Sequence, residues 1–278
     1  MCNPMAQQIE SVRDLIDLIE SWEQKFFDPG VGFLPVWYRG QSTAAWKLNP
    51  GVLRPNFVSM AQSSDVQLTN DPELQVLIRE RTVNKEFMRM GASLIPVEAE
   101  LTEKYFIAQH HGLPTRLLDW TTNPLAALLF SVLGSPDDDG AVFVLNPRFL
   151  IPIEKDPQST IFPLEIVEAR HPLVAQLVGY VCGRDGTRNH QQPFVLPITP
   201  DLSAGRMLQQ GSCFTFHMPG APLMDDHFEV SALEKYIIPQ AAKASIRITL
   251  RRMNITEATL YCDLDHLSRE IRSAYGLV

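Results

Sequence analysis

The chain is expected to fold as α+β, with a small mixed or antiparallel sheet core and surrounding helices. Three observations predict this. Short apolar runs bounded by turn residues read as strands, as at Val36-Trp37-Tyr38-Arg39-Gly40 and Ala141-Val142-Phe143-Val144-Leu145. Longer segments repeat their apolar residues at helical spacing. The two kinds of segment do not alternate regularly; helices precede the strands and lie among them, which argues against a parallel α/β sheet.

In order, residues 9 to 27 carry Ile9, Val12, Leu15, Ile16, Ile19, Trp22 and Phe26 on one helical stripe, ended by Asp28-Pro29-Gly30. The first strand then stops at a Gly-Gln-Ser turn. Residues 55 to 72 are polar and read as a loop. A helix with Leu74, Leu77, Ile78, Phe87 and Met88 breaks near Gly91, and another spans 98 to 110. Pro124 suits the first turn of the next helix, with Asn123 or Thr122 as N-cap. That helix, 125 to 132, is apolar all round and should be buried.

After the turn at Pro136 to Gly140, the strand at 141 to 145 follows. Residues 146 to 204, rich in proline, read as an insertion with a helix signal at 173 to 181. Strand patterns return at 213 to 216 and 236 to 239. A helix near 244 to 253, a strand at 258 to 262 and a helix at 264 to 274 complete the order. The expected organisation is a helical N-terminal extension, 1 to 30, and a domain over 31 to 278.

Composition closes several functional classes. The net charge of −8 disfavours an extended nucleic-acid surface built on phosphate contacts. Four dispersed cysteines without a CxxC pair fit a reducing cytoplasm, and neither a signal peptide nor an eighteen-residue apolar run is present. HExxH, a Walker loop, GxGxxG and GxSxG are missing, so neither a metal site nor the common nucleotide and hydrolase motifs are expected.

The densest chemistry lies in Gln109-His110-His111-Gly112-Leu113-Pro114-Thr115-Arg116-Leu117-Leu118-Asp119-Trp120-Thr121-Thr122-Asn123-Pro124. It precedes a buried helix, so its groups should be rigidly held. Side chains of His110 and His111 diverge, so at most one faces a site, as acid/base or ligand donor; a capping role is the alternative. Arg116 and Asp119, three apart, are close enough to pair and fix the loop. Thr121 and Thr122 precede the buried helix, where backbone N–H groups favour an anion, although capping explains one of them equally well.

These residues also carry a resemblance. Trp37-Tyr38-Arg39-Gly40-Gln41, Trp46-Lys47-Leu48, Pro50, Arg54, Glu86-Phe87 and the 108 to 124 stretch resemble the FRG domain, labelled after its Phe/Tyr-Arg-Gly motif. Arg206, Gln209-Gln210-Gly211, Phe214-Thr215, Ile237-Ile238-Pro239 and Lys243 are similar to its C-terminal half, and 260 to 267 to its ending.

The motif order is in turn similar to that of ADP-ribosyltransferases: a strand ending in Arg-Gly, a Ser/Thr strand entering a buried helix, then a strand with a catalytic Glu. The resemblance implies a split sheet and NAD as substrate. Arg39 would anchor a phosphate or ribose, with Gly40 admitting the ligand. Gln109, Thr115, Arg116, Asp119, Trp120, Thr121 and Thr122 would line the NAD pocket, Trp120 by stacking unless it is core. Gln210 occupies the Glu position; Glu234 competes for it. The implied activity is transfer of ADP-ribose to a protein or nucleic-acid acceptor, as a toxin or antiphage effector. A non-catalytic nucleotide- or protein-binding module and a metal-independent nuclease using His110 or His111 are the alternatives.

Overall fold

The computed structural model describes residues 7–29, 32–33, 35–63, 69–150, 166–184, 193–200, 210–224 and 233–277. Among them lie nine α-helices and a seven-stranded sheet. Helix α1 (Val12–Lys25) starts at a capping box, Ser11 with Asp14. A two-stranded hairpin, β1 (Phe27–Asp28) with β2 (Gly32–Phe33), leads to β3 (Trp37–Gln41).

Four helices and two strands follow: α2 (Pro55–Gln62), α3 (Pro72–Met90), α4 (Leu101–His110), β4 (Leu117–Thr121), α5 (Pro124–Val132) and β5 (Gly140–Leu145). The stretch expected as an insertion supplies β6 (Val167–Glu168), α6 (Pro172–Val181) and β7 (Val195–Thr199). β8 (Ser212–His217), β9 (Leu233–Ile238), α7 (Lys243–Arg252), α8 (Glu257–Tyr261) and α9 (Leu264–Ala274) complete the chain.

The α+β expectation holds. Sheet order is β6-β7-β8-β4-β3-β5-β9, antiparallel except for the β6–β7 edge pair. Residues 7 to 9 add to the other edge, where Ile9 N–H donates to the Ile237 carbonyl at 2.9 Å.

Three local readings are corrected. Residues 55 to 62 form a helix rather than loop, because Pro55 sets its first turn and Ala61 packs on Val52 and Val76. The 109 to 124 loop resolves into a helix end, a turn and β4. The strand expected at 258 to 262 is α8, opened by Thr256, whose hydroxyl accepts from Thr259 N–H at 3.3 Å, and closed by Cys262 at φ 52°. A five-residue apolar run carries too little period to separate the two structures. Arg206 and Gln209 lie outside the described residues.

Two helical groups cover one face of the sheet. α1, α5, α7 and α8 bury Leu15, Trp22, Leu128, Ile246 and Leu260 against Tyr38, Val142 and Tyr236. α3, α4 and α6 bury Leu77, Tyr105 and Leu177 against Leu117, Leu196 and Phe216. The opposite face holds Trp37, Leu118, Trp120 and Phe143.

The sheet is divided between these groups. β3 makes five residue pairs with β5, and β4 makes five with β8, yet β3 and β4 share the single pair Tyr38–Thr121. Beyond that pair the two strands part.

Helix α5 lies directly on β3. A Cβ on Gly40 would sit 1.8 Å from the Ala127 carbonyl oxygen, so the Gly of the Tyr-Arg-Gly triplet is demanded by helix packing. Gly40→Ala is therefore expected to destabilise the protein by about 3 kcal/mol or more. Chemical denaturation would read this as a lower midpoint with an unchanged slope.

Candidate functional site

A cleft of about 910 Å³ opens where β3 and β4 part, between the two helical groups. Its floor is Tyr38 to Gln41 and Asp119 to Thr121. α4 presents Phe106, Gln109 and His110 at helical spacing, the loop after β3 contributes Trp46, Lys47 and Arg54, and Phe130 and Tyr261 close the far wall.

Arg39 bridges the parting strands. Its Nη1 donates to the Asp119 carbonyl at 2.6 Å and lies 3.8 Å from the Asp119 carboxylate. Burial lowers the Arg39 pKa, Asp119 opposes that, and the neighbouring Arg54 charge adds to the lowering. Arg39 Nε, Gln41 Oε1 and Asn49 Oδ1 are buried without hydrogen-bond partners among the described residues, so the floor retains unused polar capacity.

Asp119 is held from α4. Gln109 Nε2 donates to both its carboxylate oxygens at 3.0 and 2.9 Å, while Gln109 Oε1 accepts from the Thr115 hydroxyl. Thr115 is itself buried and supports the site from behind.

The remaining candidates divide. His110 faces the cleft, whereas His111 is exposed beyond the helix end and lies outside the lining. Thr121 lines the cleft and its hydroxyl donates to the Gln210 carbonyl. Thr122 holds the same turn, its N–H donating to the Gly211 carbonyl at 2.9 Å. Gly211, at φ 55°, would place a Cβ 2.5 Å from Thr122 Oγ1, so the turn needs glycine. Asn123 is the N-cap of α5, accepting from the Leu125 and Ala126 N–H groups; the first turn is thus already capped rather than open to an anion. Gln210 lines the cleft and donates to the Leu260 carbonyl at 3.2 Å.

Two expected contacts are absent in form. Arg116 does not pair with Asp119: it lies just before β4, and its side chain turns toward α3 and α4. It is buried on Glu80, with Nε donating at 2.8 Å, and Tyr105 joins both: its hydroxyl donates to Glu80 at 3.1 Å and accepts from Arg116 N–H at 2.8 Å. Burial raises the Glu80 carboxyl while Arg116 opposes the rise. Trp120 is 3% exposed in the lower core, its indole N–H on the Thr215 hydroxyl at 3.0 Å, so it is not free to stack on a ligand.

Glu234 lies away from the cleft, on β9. It accepts from Lys25, from the Tyr236 hydroxyl and from Trp22 Nε1 at 3.1 Å. Burial pulls its pKa up, but these bonds outweigh that and hold it below the usual carboxylate value. Among the described residues lining the cleft, Asp119 is the sole carboxylate.

Trp46, Lys47, Arg54 and Tyr261 were not singled out by their chemistry. The available signal was an aromatic beside a cation in a loop, Trp46-Lys47, with Trp46 55% exposed.

The divided α+β sheet thus carries a polar, aromatic-walled cleft at its division. Residues 35–140 match the model of the FRG domain. That stretch holds Arg39, Gln109, Asp119 and Thr121, whereas Gln210 and Tyr261 come from beyond it. The chain matches no curated protein and no solved structure. No helix among the described residues is long and apolar enough to cross a membrane.

Two expectations follow. Glu80→Ala leaves the buried Arg116 without its counter-charge and should cost about 3–5 kcal/mol in denaturant unfolding. Glu234→Gln should leave any reaction in the cleft unchanged. The depressed pKa of Glu234 contributes stability above its unfolded value that is lost as pH falls through the folded value. The wild-type melting temperature should therefore drop more steeply on acidification than that of Glu234→Gln.

Proposed function

We propose that the cleft binds NAD and that the protein transfers ADP-ribose from it to a macromolecule. The observation that carries this reading is a convergence on three adjacent strands. Arg39 on β3, Thr121 at the end of β4 and Gln210 just before β8 meet in one cleft, although they are far apart in the chain. They follow the motif order of the ADP-ribosyltransferase resemblance, with Gln210 where that resemblance has a Glu, and Glu234 lies outside the cleft.

The chemistry of the walls supports the same ligand. Arg39, Lys47 and Arg54 offer charge and fork-shaped donors to a pyrophosphate, and exposed Trp46 offers a face to a base. A volume near 910 Å³ lies at the upper end of small-molecule sites. Gln210 is neutral, so the charge that develops on the ribose must be met by another group or the enzyme is slow.

A binding module without turnover is the second reading, favoured by the Gln210 amide being engaged with Leu260. The nuclease reading is weaker, because His110 reaches the cleft without His111.

The test is labelled NAD incubated with the protein and a host lysate. Label should move onto protein or nucleic acid with wild type, and Arg39→Lys, which keeps the charge but loses the bidentate fork, should fall by at least about tenfold. Intact NAD with no labelled acceptor would remove the transferase reading.

A further inference from the structure

Resting on the NAD reading, we infer that Asp119 is the catalytic carboxylate: it faces the reacting ribose and takes the proton of the incoming acceptor, while the NAD phosphates lie toward Arg54 and Lys47.

Three features carry this. The Asp119 side chain is 57% exposed within the cleft, and no other described lining residue is acidic. Its orientation is imposed by a directional relay. Leu117 N–H donates to Thr115 Oγ1 at 3.1 Å, so the Thr115 proton turns to Gln109 Oε1, and that turns Gln109 Nε2 onto the carboxylate. Gln109 is thus a positioning residue. Finally, Arg39 gives its short hydrogen bond to the Asp119 carbonyl, not to the carboxylate 3.8 Å away. The carboxylate retains accepting positions toward the cleft.

Charge then orients the ligand. Arg54 and Asp119 line the same cleft with opposite charges, and Arg39 feels both. A phosphate against Asp119 is repelled, whereas a ribosyl centre becoming cationic is attracted. Phosphates therefore fall on the Arg54 side and the nicotinamide ribose on the Asp119 side. In the step itself, the bond from C1′ to the nicotinamide nitrogen breaks, and its electron pair leaves with neutral nicotinamide. The acceptor hydroxyl, or water, bonds to C1′, and its proton passes to the Asp119 carboxylate.

The experiment uses the full chain with NAD and water, reading nicotinamide release and, separately, NAD affinity by calorimetry. Asp119→Asn and Asp119→Ala should bind NAD within about threefold of wild type and lose at least about 100-fold in release. Added formate should restore the Ala variant by about tenfold or more, which a merely structural carboxylate would not permit. Retained NAD affinity in each variant shows that its cleft is still folded.

An Asp119→Asn rate within threefold of wild type, or an Ala variant that added formate does not restore, overturns the assignment and leaves the NAD reading standing. NAD bound but never cleaved by wild type overturns Asp119 and makes the chain a binding module. Neither binding nor cleavage by wild type overturns both.

Discussion

Arg39 stands where the sheet would otherwise close. β3 and β4 are joined at Tyr38–Thr121 and then separate, which leaves the Asp119 carbonyl without a ladder partner on β3. That carbonyl is left to accept from a side chain. The Arg39 guanidinium donates to it at 2.6 Å, spanning a gap that a backbone N–H does not fill. The same bond ties the parted strands, fixes the carbonyl end of Asp119 and brings a cation to the cleft floor. Fold and site therefore share one interaction, and the arginine of the Tyr-Arg-Gly triplet belongs to both.

The cleft also depends on how each half of the sheet is covered. α5 approaches β3 so closely that only glycine fits at Gly40, and similarly a Cβ on Gly140 would lie 2.3 Å from the Ser131 carbonyl. This draws the first helical group tightly onto β3 and β5, while α3, α4 and α6 close over β4, β7 and β8. The loop that forms the cationic wall is tied down from below. Lys243 Nζ donates to the Ser42 and Ser135 carbonyls at 2.7 and 2.9 Å, and Lys235 Nζ donates to Ala44 at 2.6 Å. Two lysines distant in sequence thus act as struts, leaving Lys47 and Arg54 to face the cleft.

The dense polar motif serves two neighbourhoods that only look like one. Alternation along β4 sends Asp119 and Thr121 to the cleft, while Arg116, just before the strand, turns into the buried cluster with Glu80 and Tyr105. That cluster anchors the turn from α4 into β4, and so sets where Gln109 meets Asp119. A charged pair with 1% and 0% side-chain exposure is tolerable because Tyr105 and the Arg116 backbone supply further hydrogen bonds.

By itself, the sequence determined the parts that follow from local pattern. The α+β class, the buried helix 124 to 132 and the strands around 37 to 41, 140 to 145 and 212 to 217 were legible, since periodicity and capping act over a few residues. Tertiary structure alone decided which of those residues share a site. Arg116 and Asp119 are neighbours in the chain and partners of different groups, whereas Gln210 lies 89 residues from Thr121 and touches it. Glu234 and Gln210 are equal candidates as letters; the strand order separates them, placing β8 beside β4 and β9 beyond β5. Sheet order is set by non-local burial of whole faces, and no run of adjacent residues records it.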